Sequence, residues 1–277
     1  MSNFWPVKEK ETTRCLENIS AIILAAGKGS RMQSDLPKVL TPLAGKTLIE
    51  HTLEAVTQAG IDESCLIMSK QTENFLPILK KLERTAACIQ EKANGTAGAV
   101  ASAAPFYKKK PIAYASYQLF QGIPSEKTYA LIVNGDTPLI DPEILHDFCM
   151  KTTKGGFKLG VLGAVVPDPS GYGRLVTDHD GLLKKISEDR DAMPEEKKIK
   201  LINTGVILAH VETLFYLLAK VEPKNAQNEY YLTDIIGHSV TEGIAVCVYH
   251  ALAWERFLGV NTKEQLAQLE EIIKEKI

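Results

Sequence analysis

Several absences narrow the field before any motif is read. The 277-residue chain has no run approaching the roughly 20 uninterrupted apolar residues of a membrane-spanning helix, so a soluble protein without membrane partners is expected. Residues 1–18 alternate charge with isolated apolar side chains and hold no stretch of signal-peptide length; they read as an N-terminal tail. Neither sign of charge is in excess: 32 Lys and Arg against 34 Asp and Glu leave a formal charge of -2, which gives no basic field for nucleic acid. The run Lys108-Lys109-Lys110 is too short to change that. Five cysteines, an odd number without a C-x-x-C pair, describe the reduced thiols of a cytoplasmic protein rather than a disulfide framework. No Pro/Ser/Gly-rich linker and no internal repeat divides the chain, and its length can bury a sizeable core. Ser-His-Asp groupings, H-E-x-x-H and nucleophilic cysteine motifs are missing as well.

What is present begins at Ile22-Ile23-Leu24-Ala25-Ala26-Gly27-Lys28-Gly29-Ser30-Arg31-Met32, with Pro37-Lys38 just beyond. A β-branched run that breaks into a small-residue loop with two glycines and several cations describes a strand emptying into a polyphosphate cradle. Two better-known glycine loops are excluded by spacing. The dinucleotide fingerprint G-x-G-x-x-G meets Met32 at its third glycine, and the P-loop that Gly45-Lys46-Thr47 suggests meets Leu40 at its first. In the remaining pattern Gly27 and Gly29 let backbone N–H groups approach an anion, while Lys28, Arg31 and Lys38 supply positive charge. Two glycines alone would describe an ordinary strand-to-helix turn; Arg31 and Pro37-Lys38 at this spacing favour the cradle.

Along the chain, strand-like runs at Ala21–Ala25, Cys65–Met68 and Ala130–Val133 alternate with helix-like ones at Leu48–Ala59 and Phe75–Leu82. A further helix opens at Asp141-Pro142, with Asp suited to the N-cap and Pro to the first turn. This alternation predicts an α/β fold with a mostly parallel mixed sheet flanked by helices, binding its ligand at the C-terminal ends of the strands. Gly160–Val166, Gly173–Thr177 and Leu182–Ile186 read as short strands, the last two joined through the hairpin signal Asp180-Gly181. They predict a small β elaboration of one domain spanning residues 19–277. From Thr262 to Lys276, Leu266, Leu269, Ile272 and Ile273 share one helical face, which should pack on the body.

Asp136 follows the strand at Ala130–Val133 directly, where a carboxylate can reach Mg²⁺ while the metal holds phosphate oxygens; an Asn-Gly-Asp turn is the ordinary alternative.

The run from Leu24 to Leu40 closely resembles the opening of the GlmU-type N-acetylglucosamine-1-phosphate uridyltransferases, within the sugar nucleotidyltransferase superfamily. The resemblance continues through Gln90 with Gly95-Thr96, Gly135-Asp136-Thr137-Pro138-Leu139, Gly171-Tyr172-Gly173-Arg174, Ile202-Asn203-Thr204-Gly205, Glu229 to Asp234 and Gly259-Val260-Asn261, in the family's order over roughly residues 19 to 277. It implies a Rossmann-like nucleotide-diphospho-sugar transferase fold. The implied reaction joins UTP and N-acetylglucosamine 1-phosphate into UDP-N-acetylglucosamine and pyrophosphate, with Mg²⁺, for cell-wall or lipopolysaccharide precursors. Such a reaction asks mainly for cations and alignment.

By the same resemblance Arg31 and Lys38 are the catalytic pair, Arg31 stabilising the departing pyrophosphate and Lys38 bridging the phosphates of both substrates. Leu24, Ala25, Ala26, Gly27, Lys28, Gln90, Gly95, Thr96, Asn134 and Gly135 fall to the nucleotide, and Gly173, Glu188, Asn203, Tyr231 and Thr233 to the sugar. Asp136 and Asn261 are the implied metal ligands, although Asn261 and Glu264 also have the spacing of a helix N-cap and its partner. Two positions depart from the family near the nucleotide: Ala97 where it often has glycine, and Asn134 where it commonly has an aromatic residue. The segment Tyr107 to Lys127 is longer than in the family and reads as a lid, a contact surface or a loop. The isoleucine-rich repeats of that family's acetyltransferase half are missing, so an acetylating activity is expected, if anywhere, on a separate protein. A nucleotidyltransferase for another sugar 1-phosphate, or a nucleotide-sugar-binding regulator without turnover, remains the alternative.

Overall fold

A computed structural model describes residues 16–27, 36–70, 85–110, 112–115, 117–121, 125–260 and 262–274. The first half contributes β1 (Ile19–Leu24), the short β2 (Pro42–Leu43) and β3 (Lys46–Thr47), α1 (Leu48–Gln58), β4 (Ser64–Ser69), β5 (Thr85–Gln90), α2 (Thr96–Ala101), β6 (Tyr117–Gln121) and β7 (Tyr129–Asn134). The second half contributes α3 (Pro142–Lys154), β8 (Leu159–Val165), β9 (Arg174–Thr177), β10 (Leu183–Ser187), β11 (Leu201–His210), α4 (Val211–Leu218), α5 (Asp234–Thr241), β12 (Val246–Ala251) and α6 (Lys263–Lys274). The helix expected at Phe75–Leu82 lies outside the described residues.

Ten of these strands form one sheet in the order β10-β9-β11-β7-β1-β4-β5-β6, with β8 and then β12 attached to β11. The expected parallel character holds for β5, β4, β1 and β7. In the second half it holds only for β8 with β12, while β11 runs antiparallel to β7, β8 and β9, and β9 to β10. The sheet is therefore mixed in nearly equal parts. The chain builds outward from β1 through β4 to β5, then returns to lay β7 on the other side of β1, which makes the β1/β7 boundary the topological switch point.

Alternation along the strands feeds two cores. Ala21 and Ile23 of β1 with Leu131 and Val133 of β7 meet α1 and α3 on one face. Ile22, Ala130 and Ile132 meet α2, α4 and α5 on the other. Local chemistry sets the element ends: Thr47 and Glu50 form a reciprocal capping box that starts α1, and the Asp141 carboxylate accepts from the Glu143 N–H at the start of α3, followed by Pro142. At the other end of the chain Leu269 and Ile273 are buried against Leu43, Leu48, Leu139 and Val260, the packing expected of the periodic face of α6. Leu16, expected in the tail, is buried in the first core, so the packed body reaches back at least that far. Among the described residues no helix is long and apolar enough to cross a membrane.

The 107–127 segment resolves in part. Residues 117–121 form β6, which extends the sheet antiparallel to β5. Before it, Tyr114 stacks on Tyr230 with ring centroids 4.0 Å apart, and its hydroxyl donates to the Leu218 carbonyl at 2.6 Å. Tyr114 is thus an anchor rather than part of a loose lid.

Candidate active site

A cleft of about 640 Å³ opens at the C-terminal ends of β1 and β7, within the usual range for small-molecule sites. One wall begins where β1 stops. The Ala25 N–H donates to Ile67 O at 2.8 Å and the Gly135 N–H to Leu24 O at 2.9 Å, so both amides are consumed by the sheet. Ala26 and Gly27 come free of the ladder and line the cleft with Leu24.

Gln90, at the end of β5, is buried, and its amide nitrogen donates to Asn94 Oδ1 at 3.2 Å and to Gly95 O at 3.3 Å. Its amide orientation is fixed by those bonds, which turns the carbonyl oxygen into the group on offer. Gly95 takes φ +108°, and a Cβ there would lie 2.5 Å from Tyr230 O. Only a glycine admits the Tyr230–Leu232 segment so closely. That segment is held by Tyr230 N–H to Asn94 O, Ala97 N–H to Tyr230 O, and Leu232 N–H to Thr96 Oγ1 at 2.9 Å. Ala97, one of the two departures, is fully buried beneath it, so its methyl fills core rather than cleft.

In the middle of the cleft Lys38 and Asp136 form an ion pair, their side chains 13% and 15% exposed. Asp136 is held from behind by its backbone: the Val260 N–H donates to Asp136 O at 3.0 Å. Burial, and the charge of Asp136 nearby, push the Tyr172 hydroxyl above its ordinary pKa, so the phenol stays protonated beside that carboxylate. The pair fits a hard divalent cation. A carboxylate that already attracts a cationic partner faces the cleft, and among the described residues no three His, Cys, Asp or Glu side chains gather into a closed metal cage. A single-carboxylate anchor shared with substrate phosphates is the arrangement Mg²⁺ favours.

The far wall comes from β9, β10 and β11. Gly173 lies close to Glu188: a Cβ on it would meet both carboxylate oxygens at 3.4 Å and Ile186 at 3.0 Å. The Thr233 hydroxyl donates to Glu188 Oε1 at 2.8 Å. Burial raises the pKa of Glu188, the charges of Asp234 and Asp191 add to it, and Thr233 and Arg174 work against it. Asp234, half-buried, is pushed up to about 6, by burial first and then by the charge of Asp191. A bulge between Asn203 and Val206 bends β11, with Gly205 at φ +84°. Asn203 Oδ1 accepts from the Gly205 N–H at 3.1 Å, which leaves the Asn203 amide nitrogen to donate. Asn203-Thr204-Gly205 thus forms a bulge within β11.

Of the residues singled out in the sequence, Leu24, Ala26, Gly27, Lys38, Gln90, Gly95, Thr96, Asn134, Asp136, Gly173, Glu188, Asn203 and Thr233 line this one cleft. Ala25, Gly135 and Tyr231 do not. Ala25 and Gly135 are spent on backbone pairing, and the Tyr231 hydroxyl donates to Gln227 Oε1 at 3.0 Å. Lys28, Arg31 and Asn261 lie outside the described residues. Next to Asn261, the capping pattern shifts by one: Thr262 caps α6, with Gln265 N–H donating to Thr262 Oγ1 and Thr262 N–H to Gln265 Oε1, both at 3.2 Å. Tyr172, Thr204, Gly205, Glu229, Phe257 and Gly259 also line the cleft and were not singled out for the site. All but Phe257 sit inside motifs already quoted, so membership of a motif was the available signal; Phe257 had none.

Comparison with known proteins bears on the family and the fold. Residues 21–197 match the MobA-like NTP transferase domain. The bifunctional protein GlmU of Geobacillus thermodenitrificans is 37% identical over 260 residues, covering 93% of this chain and 52% of that protein. The chain thus spans about half the length of the curated relatives it matches. Among solved structures, a putative glucose-1-phosphate thymidylyltransferase from Bacillus anthracis superposes with a TM-score of 0.70 at 19% identity, covering 92% of this chain and 95% of that one. UDP-glucose pyrophosphorylase bound to UDP-glucose superposes at 0.71 and 15% identity, covering 93% and 99%. At those identities the superpositions speak for the fold.

Proposed function

Since the chain belongs to the MobA-like NTP transferase domain family, we propose that it is a uridylyltransferase that makes UDP-N-acetylglucosamine and pyrophosphate from UTP and N-acetylglucosamine 1-phosphate. The observation that carries the proposal is one cleft joining a glycine-flanked strand end, a Lys–Asp pair and a polar wall of Glu188, Asn203 and Thr233. The resemblance to GlmU along 93% of the chain supports the choice of sugar and base.

In this reading a phosphate oxygen of the sugar phosphate bonds to the α-phosphorus of UTP. The bond from that phosphorus to the oxygen leading to the β-phosphate breaks, and pyrophosphate departs with its electron pair. Lys38 donates to phosphate oxygens of both substrates, and Lys28 and Arg31 hold the triphosphate and the leaving group. The carbonyl oxygen of Gln90 and the backbone of Ala26 and Gly27 address the base. Gly173, Glu188 and the free Asn203 amide address the sugar hydroxyls and acetamido group. Asp136, with Asn261 as second ligand, would hold Mg²⁺, which supplies neutralisation of phosphate charge when bound. Support for Asn261 comes from its neighbour Val260, bonded to the Asp136 carbonyl, and from Thr262 taking the cap. The proposed unit is the one read from the sequence at residues 19–277, extended back to the buried Leu16, working in the cytoplasm.

Pyrophosphate release by the purified protein with UTP, Mg²⁺ and N-acetylglucosamine 1-phosphate tests this, run beside glucose 1-phosphate and glucosamine 1-phosphate. Turnover restricted to the acetylated sugar is the expected result. Turnover with another sugar would reassign the substrate, and silence with all of them while UDP-N-acetylglucosamine still binds would make the protein a regulator.

A further inference from the structure

The Gly171–Gly173 turn lines the cleft, and the side chain that holds it is both charged and buried. Arg174, the first residue of β9, is 2% exposed and is the largest fully buried side chain described. Its Nη1 donates to the Tyr172 carbonyl and, at 2.7 Å, to Asp189 Oδ1. Asp189 also accepts the backbone N–H of Gly171. The pair therefore ties the turn, at Gly171 and Tyr172, to the residue that follows Glu188. The tie continues across the sheet, because Gly173 O accepts the Asn203 N–H at 2.7 Å.

Stability alone does not account for a guanidinium here. Arg174 is 2% exposed, lies in register with the buried Ile202 of β11, and its Nε has no partner among the described residues. A buried ion pair with an unsatisfied donor is commonly matched or bettered by an apolar side chain of similar volume. What an apolar side chain cannot supply is the fixed fork that joins Tyr172 O to Asp189.

We propose that Arg174 and Asp189 form a positioning clasp that sets Gly173, Glu188 and Asn203 for the sugar phosphate, and so governs use of that substrate without touching it. The clasp rests on the functional reading above for its substrate, though its structural half stands apart from it. Because the Gly171–Gly173 turn and Glu188 are its two jaws, opening it displaces the sugar wall and leaves the Gln90–Gly95 wall in place.

The test uses the full chain as wild type, Asp189→Asn and Arg174→Met. Asp189→Asn keeps an oxygen that can accept from Arg174 Nη1 but leaves that 2%-exposed guanidinium without its counter-charge, so a lowered melting temperature is expected, and Arg174→Met, which removes the buried charge as well, is read beside it. In Asp189→Asn the KM for the sugar 1-phosphate should rise about tenfold while that for UTP stays within about twofold, the scale of losing one charge-assisted bond. Amide hydrogen exchange should accelerate at Gly171 and Tyr172 and remain unchanged at Gly95–Ala97. Arg174→Met should repeat the KM split with a melting temperature near the wild type's. An equal rise in both KM values, an unchanged sugar KM, or unchanged exchange in the turn would each overturn the clasp. A wild type that turns over no sugar 1-phosphate would sink the functional reading instead, and the exchange result would still decide whether the clasp exists.

Discussion

The two walls of the cleft are built by opposite means. The β1–β5 wall is made of strand ends and glycine turns, with its side chains tied to backbone: Gln90 to Gly95 five residues on, and Thr96 to Leu232 in the segment that docks on it from 136 residues away. The β9–β11 wall is made of charged side chains drawn from positions far apart in the chain. Thr233 reaches Glu188, Arg174 reaches Asp189, and the charge of Asp191 adds to the cost of ionising both Glu188 and Asp234. A wall built from backbone can serve any nucleotide of the right shape, whereas a wall built from a charge network can be retuned by single substitutions. That division suits an enzyme whose chemistry is fixed and whose sugar is chosen.

The pair between the walls belongs to both, and breaking it should have the largest effect. Lys38→Ala is expected to lower kcat about 10²–10³-fold, the usual toll for a preorganised donor to developing charge, read by pyrophosphate release at saturating substrates. Loss confined to the KM of one substrate would mean that Lys38 serves one wall alone, and the comparison would lose its common centre.

Next in size is an attack on the backbone wall. Gly95→Ala forces a Cβ to within 2.5 Å of Tyr230 O at φ +108°, where neither the turn nor the docked segment can yield cheaply. Strain and overpacking together should cost about 2–3 kcal/mol of stability, measured by denaturant midpoint. The KM for UTP should rise and that for the sugar phosphate hold. An equal rise in both would show that the walls are mechanically coupled through residues 230–233.

The same contrast explains what was legible in the sequence. Local signals were honest wherever structure is local. The β1 strand, the helix begun by Asp141-Pro142, the Asp180-Gly181 hairpin and the α6 face all appear as their residues indicate. β11, the ten-residue strand that joins the halves, escaped because Asn203-Thr204-Gly205 interrupts it with turn chemistry that the structure uses as a bulge. Lys38 and Asp136 were each legible by motif, but their pairing across 98 positions was not. Arg174 was quoted as part of a motif with no role, since nothing local distinguishes a buried arginine from a solvated one. Tyr231 was misjudged for a similar reason: its place in a motif is local, and its bond to Gln227 is a matter of packing.

A smaller effect tests the seam itself. Gly205 lies against Asn134, and a Cβ there would come 2.4 Å from Asn134 Nδ2. Gly205→Ala should therefore cost about 1–2 kcal/mol, from the positive φ and a displaced amide. Asn134→Ala in the same chain should recover part of it, leaving the strain of φ +84°. Full additivity in that double-mutant cycle, by thermal melting, would mean that Asn134 moves aside freely and that the walls are independent at this point.

The smallest expected effect concerns the charge carried by the β9–β11 wall. The Asp234 carboxyl is pushed up from 3.8 to about 6, so the folded state favours its protonated form. Stability from that preference is complete below pH 3.8 and is lost as pH rises through about 6. Asparagine is neutral throughout, so Asp234→Asn should melt above the wild type at pH 7.5, with the gap closing by pH 4. The group is only half-buried and opens α5, where a carboxylate is favoured by the helix N-terminus, so the gain should be about 1 kcal/mol or less. A variant less stable than wild type at pH 7.5 would show that the helix contact outweighs burial and the charge of Asp191. The crowded carboxylates of this wall would then be a supported feature of the fold, and not a strain that a bound sugar must relieve.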